Sequence, residues 1–188
     1  MTVDKSVTVL GVLEFNSIAI GITALDEMVK IAPIKIIDAR TMCPGKYLIV
    51  FSGDVASVEY SYYKGLEIGN DYIVDKLLIP QIHSEVLNSI GKVVQTDSWG
   101  AIGIIETNTV ASSIEAADIA AKESGVKIVE IRLAIGFGGK SYVKMMGELH
   151  EVQASMEVGV ANAVSKNQLC AKTIISQPHQ EIKPFFMN

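Results

Sequence analysis

Apolar residues fall into two rhythms along this chain. Val7–Phe15 is a run of β-branched and apolar residues, the composition of a buried strand. Asn16 or Ser17 then offers a side-chain oxygen to cap a helix. Beyond it Ile18, Ile22, Leu25 and Val29 recur at the spacing of one helical face. Ile34–Arg40 and Lys46–Ser52 read as two strands joined by a turn at Met42-Cys43-Pro44-Gly45. Gly53-Asp54 punctuates and caps a second helix reaching about Leu66, and Ile73–Ile79 reads as a closing strand. The predicted order is βαββαβ.

The same order then occurs again. Gly11-Val-Leu-Glu-Phe-Asn-Ser-Ile-Ala19 aligns with Gly103-Ile-Ile-Glu-Thr-Asn-Thr-Val-Ala111, an offset of 92. Ala24, Asp26, Lys30 and Lys35-Ile36 meet Ala116, Asp118, Lys122 and Lys127-Ile128 at that offset. After a two-residue insertion Gly45-Lys46, Gly53 and Gly65 meet Gly139-Lys140, Gly147 and Gly159; later still His83 meets His179. The second copy reads as a strand, a helix over 109–124, strands over 126–133 and 140–146, a helix over 148–164 and a strand over 170–176. Its helical stripe is Val110, Ile114, Ala117 and Ala121. The chain is two copies of one unit of the α/β (α+β) class, 1–94 and 98–188, with a polar connector over 91–98.

Composition narrows the function. Of 188 residues, 49% are hydrophobic and only 6% aromatic, which predicts surface hidden against further copies of the chain. No apolar run is long enough to span a membrane, and Met1-Thr-Val-Asp-Lys5 does not read as a secretory signal. The net charge of −5, with basic residues scattered, argues against nucleic acid as a partner. Cys43 and Cys170 are expected to be thiols in a bacterial-type cytoplasm.

Leu10-Gly-Val-Leu-Glu14 and Ile102-Gly-Ile-Ile-Glu-Thr107 resemble the opening strand of bacterial microcompartment shell domains. So do the helix ends Met28-Val29-Lys30 and Ala120-Ala121-Lys122, and the pairs Gly53-Asp54 and Gly147-Glu148. The resemblance covers nearly the whole chain, twice, in the unpermuted order. It implies a homotrimer of double domains, a pseudohexameric tile with a pore on its three-fold axis. Such tiles pack edge to edge with other shell proteins in a microcompartment shell in the cytoplasm. Lys30 and Lys122 match the family's tile-edge lysine; without the resemblance each reads as a solvated lysine near a helix C-terminus.

Thr41-Met42-Cys43-Pro44-Gly45-Lys46 resembles the pore loop of the propanediol-utilisation tandem shell subunits, which bind an iron–sulfur cluster. Gly136-Phe137-Gly138-Gly139-Lys140 of the second copy also resembles that subclass. The resemblance therefore implies a 4Fe–4S cluster held by Cys43 of three chains, for electron transfer across the shell, with encapsulated redox enzymes as partners. Such clusters ordinarily take four thiolates; three symmetry-related Cys43 residues would leave the fourth iron to a small ligand. The plainer alternatives are an incidental loop thiol and a structural tile whose pore passes small metabolites. Cys170, in a predicted apolar strand, reads as a buried small hydrophobe.

Other features read as architecture. Ala134-Ile-Gly-Phe-Gly-Gly-Lys140-Ser141 nearly spells a nucleotide-binding P-loop, but a strand rather than a helix is expected to follow it. A P-loop nucleotide-binding protein is thus the outsider. His83 and His179 are expected to pack or bond backbone past the last strands, Glu14 and Glu106 mark matched strand ends, and Trp99 is expected at the domain junction. No catalytic constellation emerges, and an enzyme is not expected.

Overall fold

The computed structural model describes residues 9–134, 136 and 138–188. In the first repeat β1 (Val9–Phe15), α1 (Ile18–Ile31), β2 (Lys35–Met42), β3 (Lys46–Gly53), α2 (Val55–Gly69) and β4 (Ile73–Pro80) follow the predicted order. A short helix α3 (Ser84–Ser89) intervenes. The second repeat comprises β5 (Ala101–Thr107), α4 (Val110–Glu123), β6 (Lys127–Arg132), β7 (Ser141–Gly147), α5 (Leu149–Ser165) and β8 (Leu169–Ile175), and is followed by α6 (Lys183–Phe186). Each repeat makes one antiparallel four-stranded sheet, ordered β2-β3-β1-β4 and β6-β7-β5-β8. The two sheets bulge at equivalent places, at Glu14/Phe15 and Glu106/Thr107, and between Ile36/Asp38 and Ile128/Glu130.

Local chemistry explains these elements. Ser17 and Thr109 cap α1 and α4, accepting the N–H of Ile20 and of Ser112, each at 3.3 Å. Asp54 caps α2 through the Ser57 N–H at 3.0 Å. At the equivalent start of α5, Glu151 accepts the Glu148 N–H at 3.1 Å, one arm of a capping box. The helix pair on each sheet is tied by a matched bond: Ser61 donates to the Met28 carbonyl at 2.9 Å, and Ser155 to the Ala120 carbonyl at 2.7 Å. Where α2 and α5 cross the central strands, Gly65 and Gly159 leave no room for a side chain. A Cβ there would stand 2.4 Å from Leu13 Cδ1 and 2.9 Å from Ile105 Cδ1 respectively.

The core of the first repeat lies between sheet and helices, around Leu13, Phe15, Met28, Ile49, Phe51 and Val58. In the second repeat the opposite sheet face, with Ile102, Val129 and Met146, is covered by Phe186 and Met187 from the tail and by Trp99. Trp99 meets Phe186 edge-on at 5.9 Å and donates to the Pro178 carbonyl at 3.0 Å. The expectation that Trp99 marks the domain junction is corrected: its partners belong to the second repeat and its tail.

The chain divides into two compact units, residues 1–82 with 135–139, and residues 83–134 with 140–188. The division falls at Ile82/His83, ahead of the connector expected over 91–98, because the segment after His83 packs on the second repeat. Here α3 lies against β6 and α4, and Gly91 and Val94 donate to the carbonyls of Ile131 at 2.9 Å and Val129 at 2.8 Å. The predicted apolar stripes fare differently. Val110, Ile114, Ala117 and Ala121 are buried; of the first stripe Leu25 packs against the core, but Ile18, Ile22 and Val29 are exposed, and α1 buries Gly21, Ala24 and Met28. Val7 and Thr8, part of the predicted first strand, lie outside the described residues.

Candidate functional site

The β2–β3 hairpin carries the cysteine. Met42 is the last residue of β2 and is buried; Cys43, Pro44 and Gly45 form an exposed turn, closed by the Gly45 N–H on the Met42 carbonyl at 3.0 Å. Gly45 takes φ +82°, a left-handed conformation that a side chain would strain. The turn thus holds the Cys43 thiol outside the core while an apolar anchor, Met42, fixes its base. The equivalent turn of the second repeat groups with the first unit. Its Gly136 and Gly138 are exposed and its Gly139, at φ +86°, is buried. A Cβ on Gly139 would lie 2.8 Å from the Cys43 carbonyl oxygen and 3.5 Å from Pro44 Cδ. The glycine is needed because backbone approaches backbone there. Phe137 lies outside the described residues.

One chain offers one thiol at this place. The described residues contain no group of three or more His, Cys, Asp or Glu side chains able to hold a metal ion. Cys170 belongs elsewhere, in β8, and the expectation that it is buried is corrected: it is half-exposed, with its Sγ 2.9 Å from Asn108 Oδ1. β8 is the edge strand of its sheet and most of its residues are exposed, so apolar composition alone misplaced it.

Lys30 and Lys122 occupy the last turns of α1 and α4, where a cation suits the helix dipole. Lys30 pairs with Asp26 and, at 3.2 Å, with Glu27. The hydrogen bond to Asp26, then that to Glu27, raises its pKa above the usual lysine value. Lys122 pairs with Asp118 at 2.5 Å. His83 and His179 do bond backbone, as expected at strand exits: each Nδ1 accepts the N–H two residues on, Glu85 and Glu181, at 3.3 Å. The lysine-serine pair of the P-loop lookalike runs into β7 rather than a helix, so no helix N-terminus faces a phosphate there.

Sequence reasoning missed a buried charge cluster. Glu130, on β6, lies 2.7 Å from Arg132 Nε and 2.8 Å from Lys144 Nζ, and Tyr142 donates to it at 3.3 Å. Lys144 also donates to the Phe186 carbonyl at 2.8 Å, which ties the tail to the sheet. Alternation along β6 and β7 could have placed Glu130, Tyr142 and Lys144 on one face, but only pairing register brings them together.

Two sheet-and-helix layers of identical strand order define a tandem shell-type domain protein. The BMC domain profile matches residues 9–82 and 101–178. The chain belongs to the BMC-domain family and is a structural shell subunit of a bacterial microcompartment. It is 38% identical to the bacterial microcompartment shell protein PduT of Citrobacter freundii, over 92% of this chain and 94% of that one. It is 35% identical to the carboxysome shell protein CcmK2 of Synechocystis sp. over 44% of this chain and 81% of that one. A solved microcompartment protein from Desulfitobacterium hafniense DCB superposes with a TM-score of 0.86 at 40% identity, covering 94% of this chain and 98% of its own. The unpermuted tandem βαββαβ reading agrees with these findings. Among the described residues no helix is long and apolar enough to cross a membrane.

Proposed function

We propose that this chain is a trimeric, pseudohexameric shell tile whose central pore holds a 4Fe–4S cluster on Cys43 from three chains. The carrying observation is the placement of Cys43: an exposed thiol in a hydrogen-bonded turn, with the Gly139 backbone close to its carbonyl. The donor set of one chain is a single soft thiolate, which does not suffice for a cluster that ordinarily takes four. It fits only if rotation gathers three copies. Met42 and Pro44 would then fix the loop, and Gly45, Gly136, Gly138 and Gly139 would keep their own positions free of side-chain bulk. Bound there, the cluster supplies one-electron chemistry, which serves transfer across the shell to encapsulated redox enzymes. Other shell proteins are the edge-to-edge partners, through the faces bearing Lys30 and Lys122.

Anaerobic purification tests this reading. The wild type is expected to be brown, to carry about four irons per trimer, and to give an electron paramagnetic signal on reduction. Cys43→Ala is expected to lose colour, iron and signal while keeping its mass in sedimentation. A signal surviving in Cys43→Ala ends the cluster proposal and leaves a structural tile with an open path for small metabolites.

A further inference from the structure

The outward face of α2 carries side chains that the fold does not use. Of the six tyrosines in the chain, Tyr60, Tyr62, Tyr63 and Tyr72 fall on α2 and the turn after it. Tyr62 is buried in the core of the first repeat. Tyr60 and Tyr63 lie outside it, 66% and 62% exposed. The Tyr62 ring meets that of Tyr63 edge-on, with centroids 5.5 Å apart and planes at 79°, and so steadies Tyr63 on the helix. Glu59, Tyr63 and Glu67 recur at every fourth residue and Tyr60 stands between the first two, so two rings and two carboxylates share one stripe.

The second repeat lacks this stripe. At the offset that pairs Gly65 with Gly159, its counterparts on α5 are Gln153, Ala154, Glu157 and Ala161. The inward faces of the two helices are alike: Ser61 and Ser155 make the same bond, and Gly65 and Gly159 the same close approach. The shared fold therefore requires the inward residues and not the tyrosines. The charges are also uneven. Lys64, the one basic residue of α2, pairs with Glu67 at 3.1 Å, while among the described residues Glu59 makes no ion pair or side-chain hydrogen bond. The stripe is thus net negative. Elsewhere the chain seats its own cations on rings: Arg132 and Lys144 over Tyr142, Lys144 over Phe186 and Lys183 over Trp99, at 5.3 to 5.9 Å. Among the described residues no cation stands over Tyr60 or Tyr63.

We infer that the Glu59–Glu67 stripe of α2 is a docking surface for a basic segment of a partner protein. Arginine side chains of that segment lie over the Tyr60 and Tyr63 rings, with their alkyl stems along the helix and their donors on the Glu59 carboxylate. Arginine fits better than lysine, because one planar guanidinium can stack on a ring and fork onto a carboxylate together. Tyrosine suits such a contact, since its large ring loses few torsions on binding. The surface lies apart from the Cys43 turn and from Lys30, and does not depend on a cluster.

Fluorescence anisotropy tests this surface with the intact protein. The probe is a fluorescein-labelled, alanine-based helical peptide with arginine at every fourth position. A twin carries citrulline, the neutral isostere, in place of arginine. The arginine peptide is expected to bind, and Tyr60→Ser with Tyr63→Ser to weaken it about tenfold with an unchanged far-ultraviolet spectrum. Glu59→Gln should weaken it less, and Gln153→Ser with Glu157→Gln on α5 should leave it unmoved. Equal affinity for the tyrosine variant would mean that the peptide answers only to the net charge of the chain, and would overturn the docking. Binding of the citrulline peptide as tightly, or no binding of the arginine peptide, would overturn it too. A fall in sedimentation mass of the tyrosine variant would mean that another copy covers the stripe, and would replace the basic partner.

Discussion

Asp54 accepts both the main-chain N–H of Ser57 and, at 2.6 Å, its hydroxyl. These bonds, the hydroxyl first, favour the ionised carboxylate and hold its pKa below the usual range. A group lowered on folding contributes stability that is present above its unfolded pKa and lost as pH falls through the folded one. The melting-temperature gap between wild type and Asp54→Asn is therefore expected near neutrality and should shrink in acid below the ordinary carboxylate range. A gap independent of pH would show that the carboxylate charge plays no part. Glu130 poses the opposite situation, a buried carboxylate with two cations. Glu130→Ala leaves Lys144 buried without its carboxylate and is expected to cost about 3–5 kcal/mol, measured by urea unfolding. Sequence named neither residue's role fully: Asp54 was legible as a cap, because capping is local, whereas Glu130 needed the register of two strands.

Among the elements, α1 was predicted at the right place, but only Leu25 of its four expected inward residues packs on the core. Periodicity found the larger side chains Ile18, Ile22 and Val29, yet the face toward the sheet is made of small residues and one methionine: Gly21, Ala24 and Met28. Close approach explains the choice. A Cβ on Gly21 would sit 2.6 Å from the Tyr47 Cβ, an atom fixed to the β3 backbone. Gly21→Ala gains about 1 kcal/mol of helix propensity but forces strand and helix apart, at about 1–3 kcal/mol. Net destabilisation is expected, seen as a lower urea midpoint with an unchanged slope; a stabilised variant would mean the helix shifts freely. The short helices α3 and α6 were not legible, since six and four residues carry too little periodicity to register.

For the whole molecule, the comparison of repeats is the instructive one. Both have bulges at equivalent places and the same interhelical serine bond, yet their outer faces differ in burial. Sedimentation of the intact protein is expected to give three times the 20.3 kDa of one chain. Monomers would remove the three-fold thiol site.

The amino-acid sequence alone determined the repeat, the βαββαβ order and the loop that bears Cys43, because strand alternation, helix caps and turn residues act over a few neighbours. Tertiary structure decided which faces are covered. Burial depends on what arrives from a distance in the chain, and equivalent residues such as Asp26 and Asp118 carry identical local signals while meeting different surroundings.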